Sequence, residues 1–221
     1  MVSRSFFSEE LNRLRQDILV MATRVEENIG KALIALRTCN KELAKEVRAD
    51  DTEVDALQLK IEDDAAILIA TQQPVARDLR EMVTIFKLTS NIERVGDHAA
   101  HLARAAKKLS KWGDSPFRAQ KHLEKMAEIG QTMLRAAISA FLAQDAQAAR
   151  SAAALDHQID AEHKALKNDI IKVIKINPDL IKGGLEILHT SNQLERLGDH
   201  ITNICEAVIY MVEGKHEELN S

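Results

Sequence analysis

Apolar residues recur at alternating steps of three and four along most of the chain, the period of an amphipathic helix and not of a strand. The pattern runs without a proline through residues 5–40, again through 41–71 and again through 75–111. The breaks between these runs have recognisable chemistry. "RTCNKEL" sets Asn40 where an N-cap side chain takes the first free amides of a helix, and "TQQPVARD" sets Pro74 in a turn ahead of a new one. The strongest break is "KWGDSPF", in which Gly113 stops one helix and Ser115 and Pro116 open the next. The pattern then restarts to about residue 144, continues through 145–176, turns at Pro178 and makes a last run to about residue 214.

The two halves rhyme. Asn40 and Asp145 begin the middle helices, Pro74 and Pro178 mark the turns that follow, and "NIERVGDH" at 91–98 returns as "NQLERLGDH" at 192–200. Three helices joined by short loops pack up-down-up. The expected fold is therefore all-α: six long helices in two tandem up-down-up three-helix bundles related by internal duplication, the first over residues 1–112 and the second over 113–221. In the third helix the core stripe is Ile85, Leu88, Ile92, Val95, Ala99, Leu102, Ala106 and Leu109. In the last it is Ile187, Leu194, Leu197, Ile201, Ile204, Val208 and Met211, interrupted by Thr190.

Composition agrees and narrows the class. Eight Gly, three Pro and 3% aromatics in 221 residues suit long helices with few turns, and 45% hydrophobic with 29% charged residues suits a folded, soluble chain and not a disordered one. A net charge of -4 gives no general attraction to nucleic acid or to an anionic membrane. No apolar run approaches the roughly 20 residues that span a bilayer, so direct membrane insertion is not expected. Residues 1–10 have no apolar signal region, and the two cysteines, Cys39 and Cys205, lie far apart, which fits a reducing cytoplasm.

The candidate chemistry lies in repeated carboxylates. Glu93 and Asp97 are four apart on one helix, as are Glu195 and Asp199, and like charges at that spacing cost a few tenths of a kcal/mol. A hard cation reverses the sign. Each middle helix adds its own pair, Asp51 with Asp55 and Asp156 with Asp160. Asp55 precedes Pro74 by 19 residues and Glu93 follows it by 19, so in an antiparallel hairpin the pairs stand level, about 28 Å from the turn. In the second half Asp160 precedes Pro178 by 18 and Glu195 follows it by 17. Turning about 100° per residue from the core stripe puts both ERxGD pairs on the solvent side. Oxygen donors without thiolate or convergent imidazole suit Mg, Mn or Fe better than Zn. His98 and His200 point about 100° away and read as surface or interface residues. Gly96 and Gly198 sit mid-helix, where the usual reason is close approach by a neighbour. "QQPVARDLR" has no counterpart in the second half, and reads equally as a turn or as a partner contact.

With "ERVGDHAAHLA", "ERLGDHITNICE", the acidic pairs and "QPVARDLR" in these places, nearly the whole chain resembles the PhoU family of bacterial phosphate transport accessory proteins. The resemblance implies a non-enzymatic, cytoplasmic negative regulator of the phosphate-starvation response, peripheral to the inner membrane through its partners. It implies links to the ATPase of the phosphate ABC transporter and to a sensor histidine kinase, a homodimer, and multinuclear metal clusters held by surface acids. The matching positions here are Asp51, Asp55, Glu93 and Asp97 in one half, and Asp156, Asp160, Glu195 and Asp199 in the other. Two rivals stand beside it. A ferritin-like di-iron carboxylate oxidoreductase needs two inward Glu-x-x-His motifs, for which the chain offers Glu186/His189 and Glu213/His216. A metal-free helical adaptor would use the acidic grooves for basic protein surfaces. No nucleophile with a base, P-loop or dinucleotide phrase is present.

Overall fold

In the computed structural model the residues described are 4–109, 117 and 119–220. Over these the chain forms α1 (Arg4–Thr38), α2 (Lys41–Gln72), α3 (Ala76–Leu109), α4 (Ala119–Ala143), α5 (Ala146–Ala153), α6 (Asp156–Ile176), a 3-10 turn (Pro178–Leu180) and α7 (Ile181–Glu213), with no strand among the described residues. The break at Gly113, Ser115 and Pro116, the boundary between 112 and 113, and the side chains of Ala106 and Leu109 lie outside the description.

The signals that bound the helices act as their chemistry requires. Asn40 Oδ1 accepts from the amides of Glu42 at 3.0 Å and Leu43 at 3.1 Å. Asp145 Oδ1 accepts from Ala148 N at 2.9 Å. At the end of α2, Gln73 takes the left-handed conformation (φ 48°) and its amide bonds Ile69 O, closing the helix one residue before Pro74. Because Asn40 serves two otherwise orphaned amides, Asn40→Ala is expected to cost about 1 kcal/mol of unfolding free energy, read as a lowered midpoint in urea.

The expected single helix over 145–176 is corrected to two. After α5 the chain turns at Ala154 and Leu155, with Leu155 N bonding Ala152 O at 3.1 Å, and α6 starts at Asp156. No Gly or Pro stands there, and nothing in the local sequence accounts for the break. Its consequence is positional, since it places Asp156 in a first helical turn, where an acid is favoured by the helix dipole.

Every described position of both core stripes is buried, and Thr190 joins them by donating its hydroxyl to Glu186 O at 2.9 Å. The halves are not separate beads. α3 and α7 lie side by side along the middle, α1 packs on α4, and one continuous apolar core runs through both bundles. The α3–α7 seam is antiparallel and nearly two-fold: His98 Nδ1 bonds Gln193 Oε1 at 2.9 Å, His200 Nδ1 bonds Asn91 Oδ1 at 3.0 Å, and the two imidazoles stack with centroids 5.4 Å apart. Each repeat of the phrase thus supplies a histidine and, two turns earlier, the amide that receives the other repeat's histidine.

Candidate metal centre

α2 and α3 carry the first four carboxylates, and α6 and α7 the second four. A mid-helix glycine decides how close each pair of helices comes. A Cβ built on Gly96 would lie 3.5 Å from Asp51 Oδ1, so Asp51 rests on the α3 backbone beside Asp97. A Cβ on Gly198 would lie only 2.1 Å from Asp156 Oδ1 and 3.0 Å from Ile159 Cδ1. The pairs that the turn count sets level do meet: Asp156, Asp160, Glu195 and Asp199 line one open groove of about 380 Å³.

Solvent-facing is too strong a description of the two ERxGD pairs. The Glu93 side chain is 16% exposed and that of Asp97 34%, Glu195 and Asp199 are half-buried, and Asp156 beside them is buried. The helical turn measures direction from a helix's own core stripe, whereas the neighbouring helix, let in by glycine, covers the flank.

Burial and mutual repulsion disturb the acids. Burial first, then the charges of Asp97 and Asp55, pushes Asp51 up to about 6. In the second half burial, then Asp160, Asp199 and Glu195, pushes Asp156 up to about 7. Glu93, Glu195 and Asp199 are raised as well, each by burial ahead of neighbouring carboxylates. The clusters differ in relief. In the first, Arg94 reaches Asp97 Oδ2 at 2.8 Å and Glu93 Oε2 at 3.3 Å. In the second, the charge of Arg196 eases Glu195 and Asp199 and the Thr202 hydroxyl eases Asp156, yet Asp156 Oδ1 is buried outside hydrogen-bonding geometry.

A hard-oxygen donor set with an unpartnered buried carboxylate oxygen is chemistry that a divalent cation satisfies. Among the described residues, no three Asp, Glu, His or Cys side chains surround one point closely enough to hold a single ion. His98 and His200 are engaged in the seam, their Nδ1 atoms bonded to Gln193 and Asn91. Burial lowers His98 to about 4 and lowers His200 too, which keeps both neutral in the seam as interface residues. The Glu-x-x-His pairs are placed elsewhere. Glu213 is bound to Arg150 and His216 stacks on Tyr210, while Glu186 and His189 line a groove between α3 and α7. These pairs do not face each other across a bundle interior as a di-iron site needs.

"QPVARDLR" divides its work. Arg77 donates to Gln144, and the neighbouring Glu81, buried, accepts from Arg15 Nε at 2.7 Å, so this stretch joins α3 to α1 and to the second half. Val75, Leu79 and Val83 remain exposed on one side of it. Sequence reading missed three features here: the exchanged His–amide bonds, the Arg150 bridges, and the return of the C-terminal tail, where Leu219 and Asn220 border the second acidic groove. Only the first left a trace, the equal spacing of Asn91 to His98 and Gln193 to His200.

Comparison with known proteins places this geometry. The PhoU domain family model matches twice, over residues 18–106 and 123–208, once per bundle. A phosphate-specific transport system accessory protein PhoU homolog of Streptococcus pneumoniae is 36% identical over 217 residues, covering 98% of this chain and all of that protein. One from Pseudomonas aeruginosa is 34% identical, covering 94% of this chain and 86% of the relative. The crystal structure of PhoU from Pseudomonas aeruginosa superposes with a TM-score of 0.89 at 34% identity, over 95% of this chain and all of that one. The phosphate transport system regulatory protein PhoU from Streptococcus pneumoniae superposes with a TM-score of 0.87 at 34% identity, over 96% and 99% of the two chains. With both bundles matched, and with sequence and fold in agreement along nearly the whole length, the chain belongs to the PhoU family.

Proposed function

We propose that this chain is an accessory protein of a phosphate-specific transport system that holds the phosphate-starvation response off when phosphate is plentiful. The observation that carries the reading is the double family match, one PhoU domain per bundle, on a chain whose relatives are named for that system. In this reading the protein is not an enzyme. It acts in the cytoplasm, as a homodimer, by contact with the transporter's ATPase and with a sensor histidine kinase. No helix among the described residues is long and apolar enough to cross a membrane, so any hold on the membrane through helices goes through those partners. The exposed apolar side chains of Val75, just before α3, and of Leu79 and Val83, one turn apart on it, suit one such contact.

The acidic grooves are assigned to metal. Asp51, Asp55, Glu93 and Asp97 would hold one cluster and Asp156, Asp160, Glu195 and Asp199 the other, with Fe, Mn or Mg fitting the oxygen donors better than Zn. The protein's part is to keep acids level on neighbouring helices and, at the second groove, to hold Arg150 on Glu213 and Glu217. A metal-free adaptor, docking basic surfaces in the same grooves, is the remaining rival, and metal content separates the two.

The regulatory reading is tested in the host. Deleting the gene is expected to raise transcription of phosphate-starvation genes several-fold in phosphate-rich medium, with the plasmid-borne chain restoring repression. Unchanged transcription would remove the proposal.

A further inference from the structure

The duplication makes one region of the two halves directly comparable. Aligning Asp51 with Asp156 and Asp97 with Asp199 places Lys45 opposite Arg150, Arg48 opposite Ala153, Ala103 opposite Cys205, and Arg104 opposite Glu206. In the second half this region is covered by the chain's own tail. Gly214 (φ 71°) caps α7 and the chain turns back along it. Arg150 then holds Glu213 at 2.8 Å and Glu217 at 2.7 Å, and Leu219 N donates to Glu206 at 2.7 Å. Leu219 borders the groove with Ala153 and Ala154, and Asn220 Nδ2 donates to Asp199 O at 3.3 Å. In the second half, therefore, the cation at this place, Arg150, is met by the carboxylates of a non-helical segment whose Leu219 packs beside Ala153.

In the first half Lys45, Arg48 and Arg104, the equivalents of Arg150, Ala153 and Glu206, line a groove between the α1–α2 turn and α3 of about 220 Å³, in which no tail segment lies among the described residues. Lys41, Lys45, Arg48 and Arg104 line it over a floor of Ala44 and Ala103, and no acid is among its described lining residues. Lys45 reaches Glu42 on an exposed face at 2.9 Å. Among the described residues no salt bridge engages Lys41, Arg48 or Arg104. Lys41, Arg48 and Arg104 thus converge with no acid bonded to them, Arg104 being eased only by the charge of Asp51, and a carboxylate-bearing ligand relieves that arrangement. The described tail is committed to Arg150, and the occupant considered is a segment of another molecule.

We propose that the groove lined by Lys41, Lys45, Arg48 and Arg104 docks an acidic, extended peptide segment of a partner protein, carboxylates on the four cations and a small apolar side chain on Ala44 and Ala103. The proposal does not depend on metal binding or on the regulatory role. It assigns the first half a contact that the second half makes internally.

The test uses the full chain and a fluorescein-labelled peptide of residues 213–221, "EGKHEELNS", followed by fluorescence polarisation at low salt. Saturable binding is expected. It should weaken at least tenfold in the Arg48→Glu, Arg104→Glu variant, weaken less in a milder Lys45→Gln, Arg48→Gln variant, and vanish when the peptide's glutamates are replaced by glutamine. All four side chains are exposed, so thermal unfolding by circular dichroism should show both variants folded. No binding, or equal binding to the parent and the folded variants, would overturn the proposal. Complete displacement of the peptide by millimolar inorganic phosphate would overturn it in favour of a small-anion site. Self-association of the chain that the charge reversal abolishes would reassign the groove to a second copy.

Discussion

At pH 8 in the presence of a chelator, Asp156→Asn is expected to be more stable than the parent chain by about 2 kcal/mol, and with saturating Mn2+ less stable than it. The metal-free half of this expectation follows from linkage. Asp156 is pushed up to about 7 from a model-peptide value of 3.8, first by burial and then by Asp160, Asp199 and Glu195. A carboxyl whose value is raised on folding binds protons better folded than unfolded, so its charge costs stability in full above pH 7. The cost shrinks as pH falls through 7 and is gone below about 4. The figure of 2 kcal/mol allows for solvent screening in an open groove, where the full shift overstates the cost. The isosteric amide removes the charge and keeps the volume, so the difference between parent and variant should close between pH 8 and pH 4. Comparing the two chains also cancels the buried neutral histidines. His98 and His200 are lowered by burial, so they destabilise the fold as pH falls below 6.5, the opposite slope.

The metal-loaded half reverses the sign because a divalent ion binds the folded chain and stabilises it by mass action, about 2.7 kcal/mol at a hundred times the dissociation constant. Asparagine supplies one weaker oxygen where aspartate supplies a charged one, so the variant gives up much of that gain. Urea unfolding at pH 4, 6 and 8, with chelator or Mn2+, reads both halves. Elemental analysis of Glu195→Ala, Asp199→Ala beside the parent chain checks the ligand assignment separately. If Mn2+ changes the stability of neither chain, the grooves are not metal sites and the adaptor reading takes their place.

Much of this arrangement could be read before any coordinates. Helical period fixes which residues of a long helix are core, because each helix here meets its bundle along one face, and Ile92, Val95, Leu197 and Ile201 are all buried as expected. The caps at Asn40 and Asp145 are local chemistry, legible for that reason. The level setting of the carboxylates was legible too, because a short turn ties equal distances along the chain to equal heights in the bundle.

What escaped depends on a third body. Nothing within 154–155 announces the end of α5. The burial of Asp156 depends on how near α6 comes to α7, and the burial of Glu93 on α2, neither of which a helical wheel contains. The exchanged bonds of His98 with Gln193 and His200 with Asn91 exist only because two repeats pack antiparallel. The tail was unreadable for the same reason: "EELN" has no period, and its place is set by Arg150 and Glu206, far away in sequence or on another face of the same helix.

Gly96 and Gly198 occupy the same place in the repeated phrase, yet alanine should act oppositely at the two. At Gly96 the nearest atoms to an added methyl are Val25 Cγ2 at 3.4 Å, Asp51 Oδ1 at 3.5 Å and Val54 Cγ1 at 3.7 Å, ordinary contact distances. Gly96→Ala therefore keeps the packing and gains helix propensity, up to about 1 kcal/mol. At Gly198 the methyl would sit 2.1 Å from Asp156 Oδ1 with Ile159 Cδ1 at 3.0 Å, so the carboxylate must swing away from α7 and α6 must give. Overpacking of this kind costs about 1–3 kcal/mol, and at pH 4, where Asp156 is largely neutral and its release from burial offsets little, that outweighs the propensity gain. Gly198→Ala is thus expected to lower the urea midpoint at unchanged slope while Gly96→Ala holds or raises it. The displaced Asp156 should also take ions from the second groove alone, so Gly198→Ala loses metal stoichiometry and Gly96→Ala keeps it. Equal shifts at the two glycines would mean that the close approach of α6 to α7 is not what the second glycine is for.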